Sequence, residues 1–446
     1  MKQLIIYLFC LISSFGLMAQ TSSKSKPNIL FILVDDMGYG ECGFNGGKTF
    51  KTPVIDQLAA GGAILENHYV QPVCSPTRSC LLTGRYPTQT GVYGIITPGA
   101  VGLPLKERTL ASALKEAGYS TAILGKWHLG ESDKVYQPNA RGFDHQYGHF
   151  FGNIDYFKHA RNEVPDWYRN GVALNEEGYS THLIAKEACK IIETNDHQKP
   201  LFLYVPFNGI HAPFQVPDNY LKAYPNLSGN RQKLAGMLAA VDEAIGQILQ
   251  SLEKSGMRDN TLIVFSSDNG APQPGDNTPL RDFKATVYEG GIRGAAFVNW
   301  PGHVPAQQSI KEPMHIVDWY PTLIGLAGGS LNQTLPIDGL NVWPMITQHQ
   351  ASPHDAILSV SNRGTSLAAI RMDNWKLIEL DMTGVAAGSK ISNRYEPVAL
   401  FNLAEDPSEK KNLALQYPDK VLLLQTRLKQ MLAKAVPSIT KENAVE

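Results

Sequence analysis

Short apolar runs that stop abruptly at polar residues constrain this chain more than any other feature. In "PNILFILVDDMGYG" the stretch from Ile29 to Val34 is apolar throughout and ends in Asp35 and Asp36. "KPLFLYVPFNGIHAPF" and "TLIVFSSDNG" repeat the pattern, the first ending near His211 and the second in Asp268 and Asn269. "TLASALKEAGYSTAILGKWHLG" adds a strand over Thr121 to Leu124 that delivers Lys126 and His128. A run that is apolar at consecutive rather than alternate positions suits a strand covered on both faces, the environment of a parallel sheet.

Helix signals fall between the runs. "KTPVIDQLAAGG" offers Thr52 as N-cap, Pro53 at the first helical position and Gly61 or Gly62 as stop, and Thr109 and Gly118 bracket a second helix. "NRQKLAGMLAAVDEAIGQILQSLEKSG" is a long amphipathic helix stopped by Gly256. This alternation predicts an α/β fold with a mainly parallel central sheet flanked by helices. Open sheets of that kind hold ligands at the carboxyl ends of their strands, so the polar residues just named are expected to gather at one edge. The Gly-, Asn-, Tyr- and His-rich stretch from Gln137 to Glu177 reads as irregular surface nearby.

After about Trp343 the texture changes to short strand-like pieces, "AAIRMDNWKLIEL" and "EPVALFNL", then a final helix over roughly Asp419 to Ala435. A smaller C-terminal α+β subdomain with an antiparallel sheet is expected, dividing the chain into 27–345 and 346–446. With 43% hydrophobic and 18% charged residues, a chain of 446 residues can bury a sizeable core. Its formal net charge of −1 offers no long-range attraction for nucleic acid or acidic lipid, so no nucleic-acid partner is expected.

The first residues read "MKQLIIYLFCLISSFGLMAQ": Lys2, an apolar stretch from Leu4 to Met18, then small and polar residues. This predicts a cleaved signal peptide over residues 1–20 and export to the periplasm or beyond, without a membrane span. Cys10 leaves with the leader, and Cys42, Cys74, Cys80 and Cys189 remain. No CxxC pair exists, which argues against structural zinc.

Asp35, Asp36, Asp268 and Asn269 at neighbouring strand ends would repel one another unless a hard cation held them, and all-oxygen ligation points to Ca2+ or Mg2+. Equally, Asp-Asp and Asp-Asn-Gly are ordinary turn sequences. Arg78, Lys126, His128, His211 and Lys284, each placed in a loop, suggest a pocket for a tetrahedral oxyanion, although any one of them could be a satisfied or solvated residue.

"CSPTRSCLLTGRYP" resembles the C-x-P-x-R signature of the type I sulfatases of the alkaline phosphatase-like superfamily. "LVDDMGYG", "GYSTAILGKWHLG", "GIHAPF", "FSSDNG" and "FKATVYEGGIRG" resemble further blocks of that family in its usual order, from about Pro27 to Pro301. The tail "LFNLAEDPSEKKNLA" is similar to its C-terminal subdomain. The resemblance implies that Cys74 is oxidised by a formylglycine-generating maturation enzyme to Cα-formylglycine, whose hydrate attacks sulfur and passes through a sulfated-enzyme intermediate. It implies one Ca2+ held by Asp35, Asp36, Asp268 and Asn269, with Arg78 orienting the modified residue. Lys126, His128, His211 and Lys284 would contact the sulfate and the reacting oxygens, His211 as general acid and His128 as base.

Within the family, "RGFDHQYGHFFGNIDYF" and "YEGGIRGAAFVNWPG" resemble arylsulfatase B-like N-acetylgalactosamine-4-sulfatases. The implied substrate is a galacto-configured sugar 4-sulfate of a glycosaminoglycan or algal polysaccharide. Its subsite candidates are His149, Asn153, Asp155, Tyr156, His159 and Arg281, which also read as polar loop residues. A phosphonate monoester or phosphodiester hydrolase of the same superfamily and a non-catalytic binder of sulfated glycans are the competing readings.

Overall fold

The computed structural model describes residues 26–361, 364–383 and 388–440, so the expected signal peptide lies outside the described residues. The four apolar runs become the centre of a ten-stranded sheet. Thr261–Ser267, Asn28–Val34, Leu201–Phe207 and Ser120–Lys126 lie side by side and parallel, and His145–His149 continues the set. Antiparallel Ala296–Asn299 follows on one side, with Ala63–Leu65 and Gln308–Ile310 beyond it, and Tyr168–Arg169 with Val172–Ala173 extends the other. The stretch expected to be irregular therefore supplies strands at that far edge. They run for two to five residues, too short for an alternation signal, and the longest carries Gly and His.

Side chains alternate across the sheet, so each apolar run feeds two cores. Ile29, Phe31 and Leu33 face the layer containing the Cys74–Thr83, Leu110–Glu116 and Trp319–Leu326 helices. Leu30, Ile32 and Val34 face the Pro53–Ala60, Ser180–Glu193 and Gly229–Lys254 helices. Burial on both faces is why the middle of each run is apolar, with polar residues such as Ser266, Ser267 and Lys126 confined to the strand ends.

The caps divide. Thr109 accepts a hydrogen bond from Ser112 N at 3.1 Å, as its position before the Leu110–Glu116 helix demands. Thr52 does not cap Pro53–Ala60 with its side chain, which donates instead to Asp56. Asp242, from the long Gly229–Lys254 helix, accepts from Val54 N and Ile55 N and caps that helix across the layer.

The second sheet is antiparallel, in the order Ile357–Ser361, Gly364–Met372, Trp375–Leu380, Val398–Asn402, with a helix at Pro418–Leu432. One face, with Ala368, Ile370, Leu377 and Leu400, joins the main core together with Leu424 and Leu428 of that helix. The opposite face, with Leu367, Ala369, Ile378 and Phe401, packs on Val287 and Tyr288, just beyond Lys284. The architecture is thus the mainly parallel α/β sheet with a smaller antiparallel sheet that the sequence predicts. Among the described residues, no helix is long and apolar enough to cross a membrane. Cys42, Cys74, Cys80 and Cys189 are all free, and Cys80 is a buried residue of the Cys74–Thr83 helix.

Candidate active site

Asp35 and Asp36 follow the last residue of their strand directly, and Asp268 and Asn269 follow theirs, so parallel register brings the four together. Asp36 takes a left-handed backbone conformation (φ 62°), tolerated by aspartate, and its N–H donates to Asp268 Oδ1 at 3.2 Å. Ile210 N donates to Asp35 O, which ties the His211 loop to the same strand end.

Cys74 is the first residue of its helix, and Arg78, four positions on, lies one turn away on the same face. Arg78 therefore projects from a helix, and Lys126 is the last residue of its strand, rather than either lying in a loop as the sequence suggested. The Arg78 guanidinium donates to Lys126 O and to Asp268 Oδ2, both at 2.9 Å. Lys126 Nζ stands 2.5 Å from Asp35 Oδ2, and Lys284 Nζ stands 2.5 Å from Asp36 Oδ1. Arg78 and Lys126 are fully buried and Lys284 is only 12% exposed, so these pairs act with little screening by water.

The protonation pattern follows from those contacts. Burial opposes the charge on Asp35 and Asp36, but Lys126 beside the first and Lys284 beside the second hold both carboxyls below the ordinary range. Burial and the neighbouring Asp35 charge push Asp268 up, even with Arg78 in contact. Burial also raises the Cys74 thiol, against the pull of Lys126 and Lys284, so an unmodified Cys74 is a protonated thiol and a poor nucleophile. Burial, and then the charges of Lys126 and Arg78, drive His128 well below the usual imidazole value. His128 is neutral, with Nδ1 3.2 Å from Cys74 Sγ and Nε2 3.1 Å from the Ile96 carbonyl. His211 is the most open of the set at 22% exposed, with Nδ1 on Ala212 O and Nε2 3.5 Å from Asp36 Oδ2.

The residues present suit a hard divalent cation. Asp35 Oδ1 and Asn269 Oδ1 are buried without a hydrogen-bond partner, while the Asn269 amide nitrogen is spent on Asp36 and Gly270 O. Bare buried acceptors are costly, and a cation ligated by oxygen removes that cost. Asp35, Asp36 and His211 also place ligand atoms within 4.8 Å of one another.

The sugar-side candidates separate. His149 is buried beside the cluster, its Nδ1 on Phe151 O and its Nε2 without a partner. Asn153 stands half-buried in the loop that follows. Asp155 is committed to a turn, accepting from Phe157 N, Lys158 N and Gln215. Tyr156 is buried, and its hydroxyl is held on Asn208 O and His211 O, which positions the His211 loop instead of a sugar. His159 stacks on Trp167 with ring centroids 4.6 Å apart. Arg281 lies over the Tyr288 ring at 3.9 Å and donates to Glu409 O, so it staples two segments together.

Sequence reasoning did not find Ile96, whose carbonyl orients His128, or Gly152, where an added Cβ would come within 2.5 Å of the His128 ring. A backbone carbonyl carries no side-chain signal. A glycine that must admit a ring could have been suspected in "HFFGN".

Comparison with known proteins places this geometry among relatives. The family described as Sulfatase matches residues 27–330. Arylsulfatase J of Mus musculus is 38% identical over 467 aligned positions, which cover 94% of this chain and 78% of the relative. N-acetylgalactosamine-6-sulfatase of Homo sapiens is 35% identical over 361 positions, covering 74% of this chain and 68% of the relative. The crystal structure of Ps i-CgsB in complex with k-i-k-neocarrahexaose shares 33% identity and a TM-score of 0.86, covering 94% of this chain and 95% of that one.

Proposed function

This chain belongs to the sulfatase family, an enzyme family that hydrolyses sulfate esters, and from that premise we propose that its substrate is a sulfated carbohydrate. Within that class we propose a galacto-configured sugar 4-sulfate of a glycosaminoglycan or algal polysaccharide. The relative named N-acetylgalactosamine-6-sulfatase and the structure holding a neocarrahexaose support a sugar substrate. The name of the first sets position 6 against the position 4 suggested by the sequence blocks. Export through residues 1–20 belongs to the same proposal, and N-terminal sequencing of the protein from its host would reveal an uncleaved leader if it is wrong.

The observation that carries the reading is the caging of three cations among three carboxylates beside Cys74. A cluster that balances its own charge gains net positive charge when a divalent ion is added, which suits a sulfate monoester. Asp35, Asp36, Asp268 and Asn269 would hold Ca2+. With residue 74 matured to formylglycine by its maturation enzyme, the two groups supply a hydrated-aldehyde nucleophile and a Lewis acid for the sulfate oxygens.

The chain's own residues do the rest. Arg78, fixed between Lys126 O and Asp268, orients residue 74. Lys126 and Lys284 present ammonium groups to the sulfate. His211 Nδ1 is occupied by Ala212 O, which leaves Nε2, at the open mouth, to hand a proton to the departing alcohol oxygen. His128, neutral with Nδ1 toward residue 74, takes a proton from the group formed there. His149 and Asn153 are the sugar-side contacts that we retain.

Sulfate release from defined galactose and N-acetylgalactosamine 4- and 6-sulfates, with residue 74 conversion checked by mass spectrometry, tests this. The 4-sulfates are expected to turn over fastest. Release of no sulfate from any sugar, or preferential cleavage of aryl phosphate esters over sulfates, would overturn the proposal.

A further inference from the structure

His128 owes its orientation to a peptide that belongs to no motif. Its Nε2 meets the Ile96 carbonyl at 3.1 Å, and a carbonyl only accepts, so Nε2 carries the hydrogen and Nδ1 is the bare nitrogen facing Cys74. The other side of Ile96 is used as well, because its N–H donates to Ser75 Oγ at 3.1 Å. Ser75 is fully buried and immediately follows the residue that His128 faces. The backbone of one residue, through the peptide groups on either side of its Cα, thus links the neighbour of residue 74 to the far nitrogen of His128.

The loop bearing Ile96 is strapped from outside by the segment 436–439. Val436 N donates to Thr88 O at 2.8 Å, and Ile439 N donates to Gly91 O at 3.1 Å. The Tyr93 hydroxyl donates to Val436 O at 2.8 Å. Gly91 has a left-handed backbone (φ 76°), and a Cβ there would come within 2.7 Å of Pro437 O, so the strap lies as close as the backbone allows.

We propose that Ser75 and the segment 436–439 are positioning residues for His128, holding the Ile96 backbone so that only the tautomer with Nδ1 facing residue 74 is populated. The proposal rests on the sulfatase reading only for its effect on turnover. Loss of the Ser75 hydroxyl frees the Ile96 N–H, and loss of the strap frees the loop. In either case the carbonyl can swing from Nε2, and the other tautomer, which presents a hydrogen instead of a lone pair to residue 74, gains population.

The test begins with nitrogen NMR of the imidazoles in histidine-labelled protein kept in the Cys74 thiol form, with the His128 signal assigned from His128→Gln. Wild type is expected to show His128 protonated at Nε2 alone. Ser75→Ala and a chain ending at Ala435 are expected to show a mixture of tautomers with an unchanged circular dichroism spectrum. An unchanged tautomer in Ser75→Ala overturns the relay, and an unchanged tautomer in the shortened chain overturns the strap.

Kinetics on matured protein come second, normalised to the formylglycine fraction, because Ser75 lies inside the maturation signature and the strap does not. Misplacing a general base is expected to lower kcat on the order of tenfold or more with KM little changed. A loss in Ser75→Ala that merely tracks its unconverted Cys74 counts against the relay. Absence of sulfate release in wild type, with the tautomer shifts intact, would remove the sulfatase reading and leave the positioning role standing.

Discussion

Lys376, in the C-terminal sheet, sets its ammonium 2.8 Å from the Glu289 carboxylate, and all of this pair is buried. The same ammonium lies 2.8 Å from Glu409, whose other oxygen accepts the Glu289 N–H and whose backbone carbonyl receives Arg281. Burial raises Glu409 to about 7 against the pull of Lys376. Glu289 is held well below the carboxylate range, because Arg293 and Lys376 outweigh its burial. The smaller sheet thus grips the segment that starts at Arg281 and carries Lys284 into the site.

Removing the cation strands the buried Glu409 carboxylate and leaves Glu289 to Arg293. Lys376→Ala is expected to destabilise the protein by about 3–5 kcal/mol, the range for breaking a buried ion pair from one side. Urea denaturation checks it, and a loss within about 0.5 kcal/mol, as for an ordinary surface change, would show that the grip is not structural.

His354 and Asp318 predict a pH dependence away from the active site. His354 Nε2 lies 2.8 Å from Asp318 Oδ1, and although burial opposes its charge, Asp318 raises it above the ordinary value of 6.5. A histidine that binds its proton more tightly when folded stabilises the fold fully below its unfolded pKa, and that stability is lost as pH rises through the higher folded pKa. The melting temperature is therefore expected to fall from pH 6 upward more steeply in wild type than in His354→Gln. Parallel curves would contradict this.

His211→Ala separates proton donation from binding. The loss of kcat is expected to be about 10²–10⁴-fold on sugar sulfates, whose alcohols leave poorly, and much smaller on activated aryl sulfates. Equal losses on both would assign His211 to binding.

The legible part of the molecule was the part written in continuous apolar runs. The run Ile29–Val34 suits a strand buried on both faces, and Asp35 and Asp36 emerge at its end. Arg78 was legible as a site residue but not as a helical one, since "CSPTRSC" has no amphipathic pattern and its helix is buried on every side. Contacts across long separations were not legible. Asp242 capping another helix, Tyr156 holding the His211 loop and Arg281 pinned to Glu409 all depend on a partner that no local pattern names. Polar residues near a strand end look alike in sequence whether they face a ligand or a neighbouring backbone.

The chemistry of residue 74 is the centre of the account, and one titration addresses it. Preparations graded in Cys74 conversion, with Cys74→Ala alongside, are assayed for sulfate released per mole of protein from an aryl sulfate and from N-acetylgalactosamine 4-sulfate. The rate is expected to be proportional to the formylglycine fraction, with no turnover above background in Cys74→Ala and the fold retained. Comparable turnover by the Cys74→Ala protein, purified free of wild type, would contradict it.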